Sequence, residues 1–402
     1  MLKSVTSLIR FAGPEWRGSR RRLATCANIE DLRRLARRRL PGGVFDYIDG
    51  GAEDEHTMAE NAAAFARVGI EPRTLVDVST IDSSTTVLGE RIPYPIALAP
   101  TGFTRIAHWE GELAVARAAA RAGLPYALST LGTRSIEDVA AVSSGTKWFQ
   151  LYVWRDRGLA KELMTRAREA GFRCIMPTVD TAVLGRRERD VRRGFTLPPK
   201  VGVATLVDGA RHPEWTWNLV RREPITFASV ASHSGINGST AVALSTYVAT
   251  QFDPSLSWRD VEWIQGEAGM PVMLKGVQST ADAKIAASLG VEAVVLSNHG
   301  GRQFDGSPAP LDLLPATMDL VGNSIEVLID GGVRRGSDVV KAVRMGARAV
   351  LIGRPYLYGL AVAGEAGVSW VISHLATGVD RTLQLTGATS IAGVSLRRGS
   401  DE

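Results

Sequence analysis

The chain holds only two cysteines, Cys26 and Cys174, in 402 residues. Two thiols cannot staple a small disulfide scaffold or build a cysteine-rich zinc site, and they suit a reducing compartment. No window approaches the roughly 18 uninterrupted apolar residues of a membrane-spanning helix. His, Cys, Asp and Glu nowhere cluster at metal-ligand spacing, so no metal is expected. A G-x-S-x-G nucleophile elbow is missing, and no G-x-G-x-x-G stands between a strand and a helix, which makes a Rossmann fold the weaker architecture. What remains is a globular composition, 45% hydrophobic and 22% charged. That length suits one large domain or two modest ones.

The net charge of +5 is unevenly placed. Residues 1–40 carry 11 Lys/Arg against 3 Asp/Glu, an excess of eight that leaves −3 for the rest of the chain. Nothing in the body argues for nucleic acid. The arginine-rich start, through Arg20-Arg21-Arg22, fits a mitochondrial presequence, or a basic arm resting on anionic lipid or on the protein's own acidic surface. It runs straight into a helical pattern in which Asn28 caps Leu32, Leu35 and Leu40, with Pro41-Gly42-Gly43 as the stop. The presequence is therefore the weaker reading. Residues 1–27 are read as an arm, 28–392 as the domain and 393–402 as a tail. The expected location is the cytoplasm or, as a peripheral protein, the cytoplasmic face of the inner membrane.

From about residue 92 short apolar runs alternate with amphipathic Ala/Leu-rich stretches. The runs are Pro95–Ala99, Tyr126–Leu128, Trp148–Val153, Cys174–Val179, Pro271–Leu274, Ala293–Leu296, Glu326–Ile329 and Ala349–Ile352. Helical stretches such as Glu110–Ala122, Leu159–Ala170, Ala281–Leu289 and Ser337–Met345 lie between them. Alternation of this kind predicts a parallel sheet with crossover helices, and eight units predict an α/β TIM-type (β/α)8 barrel. One connection breaks the rhythm. Residues 181–254, after the fourth strand, exceed a usual βα loop many times over. They contain Leu197-Pro198-Pro199, His212–Trp217 and the Gly/Ser-rich Ser232–Thr240. Their tryptophans, with Val201–Val207 and Ile225–Val230, suit a lid or interfacial role as well as a flexible excursion.

In such a barrel, functional groups sit where strands end. The strand ends, in order, supply Pro100-Thr101-Gly102, Ser129, Gln150 with Tyr152, Thr178 with Asp180, Lys275, Ser297 to Arg302, Asp330-Gly331-Gly332-Val333-Arg334, and Gly353-Arg354. A lone polar residue at a strand end is usually a loop hydrogen bonder. Eight successive ends carrying such groups predict a site. Gly331-Gly332, Gly353, Arg334 and Arg354 on the last two strands predict a phosphate cradle. His299 is placed to act as a base oriented by Asp180. Arg302 can fork onto a substrate carboxylate, and Lys275 can stabilise negative charge growing on a cofactor ring.

Ser297-Asn298-His299-Gly300-Gly301-Arg302-Gln303 resembles the signature of the FMN-dependent α-hydroxy-acid oxidase/dehydrogenase family, which includes glycolate oxidase, respiratory L-lactate dehydrogenase and mandelate dehydrogenase. Further matching runs are Phe45–Asp54, Phe149–Tyr152, Thr178–Asp180, Leu274–Gly276 and Asp330–Gly336, so that the likeness spans about residues 28–392. The resemblance implies FMN across the barrel mouth, contacted by Pro100, Thr101, Gly102, Ser129, Gln150, Thr178, Lys275 and Ser297. Its phosphate would sit with Asp330, Gly331, Gly332, Val333, Arg334, Gly353 and Arg354. Tyr47, Arg187 and Arg302 would hold the substrate carboxylate, with Tyr152 near the hydroxyl. His299 would be the base and Asp180 the group stabilising its imidazolium, whether the α-proton or the hydroxyl proton is taken.

The implied reaction is oxidation of an L-2-hydroxy acid to the 2-oxo acid, L-lactate to pyruvate first. A mandelate-type dehydrogenase and an oxygen-using oxidase are the alternatives within the class. An FMN-barrel isomerase and a non-catalytic binding module are the alternatives outside it. Leu131 stands where glycolate oxidases carry tryptophan, and Gly102 replaces an alanine. Both make room, which favours lactate or a bulkier aryl acid. Pro177, inside the fourth strand, predicts a local irregularity. The long loop resembles that of membrane-associated respiratory members, so the electron acceptor is expected to be a quinone or an electron-transfer protein. The resemblance also implies a homo-oligomer, a tetramer.

Overall fold

The computed structural model describes residues 18–194, 202–231 and 250–397. Expectations placed on residues 1–17, on Leu197-Pro198-Pro199, on Ser232–Thr240 and on the end of the tail lie outside these. Strands run in chain order as β1 (Gly69–Glu71), β2 (Thr85–Val87), β3 (Glu90–Ile92), β4 (Ile96–Leu98), β5 (Tyr126–Ser129), β6 (Lys147–Leu151), β7 (Cys174–Pro177), β8 (Met273–Val277), β9 (Ala293–Leu296), β10 (Glu326–Asp330), β11 (Val350–Ile352) and β12 (Ser395–Arg397). β4 to β11 form one parallel sheet in the order β7-β6-β5-β4-β11-β10-β9-β8. Each of the eight apolar runs is one of these strands. The fold is the (β/α)8 barrel that their spacing predicts.

The barrel closes where β7 meets β8, through single bridges Ile175–Val272 and Thr178–Lys275. Ile175 donates its N–H to the Pro271 carbonyl, and Val179 donates to Lys275. The donor between them belongs to Pro177, which has none. The predicted irregularity is thus the seam of the barrel. On the other side of β8 the register slips at Gly276, a bulge that shifts the strand end beneath the mouth.

Side chains inside the barrel alternate large with small. Trp148, Met176, Met273 and Leu351 interlock with Ala97, Ala127, Ala293 and Ala349, all buried. This filling makes the interior a packed core, not a pore. The β2–β3 hairpin plugs the lower end: Val87 and Ile92 join the same cluster. Leu88 N–H donates to Glu326, at the start of β10.

Asn28 caps the helix Ile29–Arg39 by accepting from the Asp31 N–H at 3.0 Å. Pro41-Gly42-Gly43 ends that helix but also begins another, Gly42–Asp49. Ser395–Arg397, in the expected tail, is a strand paired antiparallel with β1. The long connection after β7 contains four helices among the described residues: Glu188–Arg193, Val203–Arg211, Pro213–Arg221 and Ala228–Ala231. Phe227 and Val230 anchor it in the core.

Candidate active site

The C-terminal ends of the strands surround a cavity with about 1310 Å³ of space free of protein atoms, counting its open side. That is room for a mononucleotide-sized cofactor and a small substrate together. Every residue assigned to the site from sequence lines it except Asp180 and Ser297. Those two stand directly behind the lining. Asp180 faces His299, its two oxygens 3.1 and 3.2 Å from Nδ1. Ser297 Oγ accepts from Lys275 Nζ at 2.9 Å and from the His299 N–H at 3.1 Å.

His299 occupies a left-handed conformation, φ 58°, which costs a non-glycine residue about 1–3 kcal/mol and recurs at functional sites. The surroundings hold it there. Asn298 and Asn61 exchange a reciprocal amide pair at 2.8 and 2.7 Å, and Asn298 Oδ1 also accepts from the Gly301 N–H. Asn61 lies on the helix His56–Arg67, far from the signature in sequence, and nothing in its local pattern marks it. Burial alone would raise the Asp180 carboxyl, but the facing His299 and Lys275 outweigh it and hold it below its ordinary value. With a carboxylate on Nδ1, the imidazole carries its proton there and leaves Nε2 as the acceptor. Gly276 makes this approach possible: its φ is +100°, and a Cβ would lie 2.7 Å from Asp180 Cγ.

Across the cavity, Arg302 donates from Nη1 to the carbonyls of Tyr47 and Gly50 at 2.7 and 2.9 Å. Its guanidinium lies 5.1 Å from the Tyr47 ring centroid, and that of Arg187 lies 5.9 Å from it. Arg187 Nε is buried without a hydrogen-bond partner. Burial and the neighbouring Arg187 both lower the Arg302 pKa. Arginine stays protonated regardless; Asp190 lies 3.8 Å from Arg187 Nη1, and the two cations together can receive a substrate carboxylate. The Tyr152 hydroxyl is pushed up, first by burial and then by the nearby Asp180 charge, and stays a proton donor at neutral pH.

Lys275, 4% exposed, also pairs with Asp330 at 2.9 Å. Gln150 takes the Ser129 hydroxyl at 3.0 Å and donates to Thr178 at 2.9 Å, which ties three strand ends together. At the cradle on β10 and β11 the structure adds second duties. A Cβ on Gly332, φ +83°, would sit 1.9 Å from the Asn61 carbonyl oxygen, so this glycine serves helix packing as well as ligand approach. Arg354 spends Nε, Nη1 and Nη2 on the carbonyls of Asp49, Gly300 and Gly50. It therefore ties the rim together as well as lining it. Asp338 accepts the backbone N–H groups of Arg334 and Arg335, both at 2.9 Å.

The Phe45–Asp54 motif has a structural centre that sequence reading missed. Asp49, 2% exposed, accepts from Arg33, Arg189 and Tyr358 on three separate helices. Burial opposes the charge, yet these donors bring its pKa down to about 2.

A barrel mouth with a base, neighbouring guanidiniums and a large cavity is compatible with an oxidoreductase that carries a flavin. The chain belongs to the family of FMN-dependent dehydrogenases, whose model matches residues 36–398. It is 44% identical over 370 residues to an L-lactate dehydrogenase of Caulobacter vibrioides, covering 92% of this chain and 96% of that protein. Glycolate oxidase 1 of Zea mays is 42% identical over 370 residues, covering 92% and 94%. Among solved structures, a monotopic membrane protein, (S)-mandelate dehydrogenase, superposes with a TM-score of 0.89 at 39% identity, covering 93% of this chain and all of that one. The chain is accordingly an FMN-dependent oxidoreductase of 2-hydroxy acids. The residues present fit that cofactor. Asp330 Oδ1 is buried without a partner, an acceptor suited to a sugar hydroxyl, and Lys275 supplies a buried cation beside it.

Proposed function

We propose that the chain oxidises L-lactate to pyruvate and passes the electrons to a quinone or another acceptor distinct from oxygen. One observation carries the reading: the His299–Asp180 pair faces Arg187 and Arg302 across the same cavity that Lys275 enters. Arg187, Arg302 and Tyr47 bind the substrate carboxylate, a charge-assisted contact that also fixes orientation. Tyr152 donates to the hydroxyl. His299 Nε2 accepts the proton, and Asp180 stabilises the imidazolium that results. Gly331, Gly332, Arg334, Gly353 and Arg354 would hold the phosphate of the cofactor, and Asp330, Ser297, Gln150, Ser129 and Thr178 would hold the rest of it. Bound FMN supplies the two-electron acceptor.

The similarity to L-lactate dehydrogenase supports lactate. A second reading, an aryl acid of the mandelate kind, is favoured by Leu131 and Gly102 at the cavity and by the mandelate dehydrogenase neighbour. Anaerobic addition of L-lactate, (S)-mandelate and glycolate to the yellow holoenzyme decides. The flavin band near about 450 nm is expected to bleach fastest with L-lactate. Faster bleaching by mandelate would transfer the assignment, and no bleaching by any of the three would end it.

The acceptor reading draws on a surface. Leu206, Val207, Trp217, Leu219 and Val220 on the two middle helices of the long connection are exposed, a pattern typical of helices lying in a lipid interface. Among the described residues no helix is long and apolar enough to cross a membrane.

A further inference from the structure

The helix Glu188–Arg193 follows directly on Arg187, which lines the cavity at the barrel mouth. At six residues it is far below the roughly 12–15 at which a helix begins to hold itself in water. Nor does apolar burial hold it. Its one apolar side chain, Val191, is 58% exposed, and its buried residue is Asp190. What fixes this helix is charge. Arg189 donates to Asp49 at 2.9 Å and to Glu55, and Arg193 donates to Asp46 at 3.1 Å. Asp46 and Asp49 lie on the helix Gly42–Asp49, which also carries Tyr47.

These pairs are unequal. Arg193 is exposed, and water screens such a contact. Arg189 instead reaches a buried carboxylate, where a charge-assisted bond is strong. Asp49 is itself anchored by Arg33 and Tyr358, and Glu55 by the Gly51 N–H at 2.8 Å. One rigid fork thus grips two fixed anions. The entry to the helix is pinned separately. Glu53 donates its N–H to the Arg186 carbonyl at 2.9 Å, and Gly185 donates to Gln303 Oε1 at 2.9 Å. Both ties act before Arg187 and leave it to turn with the helix that follows. Its own side chain supplies little hold, because Nε is buried without a partner and Asp190, at 3.8 Å, rides on the same helix.

We propose that Arg189, which does not line the cavity, is a positioning residue of the substrate site: its fork onto Asp49 and Glu55 sets the helix so that Arg187 meets the substrate carboxylate beside Arg302 and Tyr47. The inference rests on the reading of Arg187 as a carboxylate ligand given above and adds what puts it there. Every 2-hydroxy acid presents the same carboxylate. Loss of the fork therefore weakens all of them alike and leaves the preference among them unchanged.

The test uses the holoenzyme. Anaerobic flavin reduction over a range of L-lactate, or of (S)-mandelate if that reduces faster, separates the apparent dissociation constant from the limiting rate. Propionate, which has the carboxylate but no hydroxyl to oxidise, is titrated through its effect on flavin absorption and needs no turnover. Arg189→Met removes the fork and keeps the stem. Arg189→Lys keeps a charge on Asp49 without the fork and serves if the methionine variant does not fold. Arg192→Met, whose partner Glu188 belongs to the same helix, is the control. Arg189→Met should weaken binding of substrate and propionate by about tenfold, as one charge-assisted hydrogen bond is lost, and Arg189→Lys by about threefold. The limiting rate should stay within about threefold, and the control within about twofold on both measures. In an Arg187→Met background the Arg189 change should add less than about twofold, because nothing is left to position. Parental binding in both Arg189 variants, with Arg187→Met impaired, would overturn the proposal and leave the carboxylate reading standing. Equal losses in both backgrounds, an effect on the limiting rate alone, or a control as impaired as Arg189→Met would overturn it too. Parental affinity in Arg187→Met would strike the carboxylate reading itself, and the positioning role with it.

Discussion

His299 carries a backbone strain that only its neighbours justify. Its left-handed φ is held by Ser297, by the Asn298–Asn61 amide pair and by Asp180 at Nδ1. Rigid placement of this kind lets a base act without reorganising. His299→Gln keeps an amide near the imidazole's place and removes the proton acceptor. The variant should retain its yellow colour while anaerobic flavin reduction slows by about 10²–10⁴-fold, the usual contribution of a general base. Retention of near-parental reduction rates would take His299 out of the chemistry. At this scale the sequence was most legible where chemistry sits at strand ends, because the barrel fixes where such groups point. It was silent on Asn61, Asp49 and Tyr358. Their partners lie 237 to 309 residues away for the Asn61–Asn298 and Tyr358–Asp49 bonds, and no local period encodes such pairings.

Elements gave up their secrets unevenly. Short apolar runs alternating with Ala-rich helices specify strand and helix by period alone, so all eight barrel strands could be read directly. Residues 181–254 read as a loop because prolines, glycines and tryptophans break their periodicity; the described helices there, such as Val203–Arg211 and Pro213–Arg221, have nine residues or fewer. Pairs of glycines were also ambiguous. Gly331-Gly332 reads as a phosphate turn, yet Gly332 lets the helix His56–Arg67 approach the end of β10. Gly332→Ala adds a methyl group 1.9 Å from the Asn61 carbonyl oxygen at a φ that alanine avoids. It should lower stability by about 2–4 kcal/mol and loosen FMN together, since the displaced Asn61 also supports the His299 loop. Thermal unfolding with flavin fluorescence as the probe would show both; a variant with parental Tm and tightly held flavin contradicts the coupling.

On the scale of the whole molecule, the basic helices that open the described chain lie near the helix Pro213–Arg221. The helix Gly18–Ala24 docks through Arg22, whose Nε donates to the Val362 carbonyl at 2.9 Å. Arg39, on the next helix, donates to the Ala361 carbonyl and bridges Glu214 on the helix Pro213–Arg221. Arg39 thus stands beside the helix Pro213–Arg221, which also carries the exposed Trp217 and Val220. Apolar side chains that enter a lipid interface and basic ones that remain in the headgroup layer act together, the latter worth about 1 kcal/mol each at an anionic surface. Trp217→Ser with Val220→Ser should cut cosedimentation with vesicles containing anionic lipid by about tenfold or more at any ionic strength, because burial of apolar surface is not screened. Deleting residues 1–17 should remove mainly the part of binding that salt weakens. Both forms should keep parental flavin reduction; Trp217 and Val220 do not line the cavity at the barrel mouth. Undiminished vesicle binding by the serine pair would move the contact elsewhere on the surface, and salt-insensitive binding by the full chain would deny the arm its part.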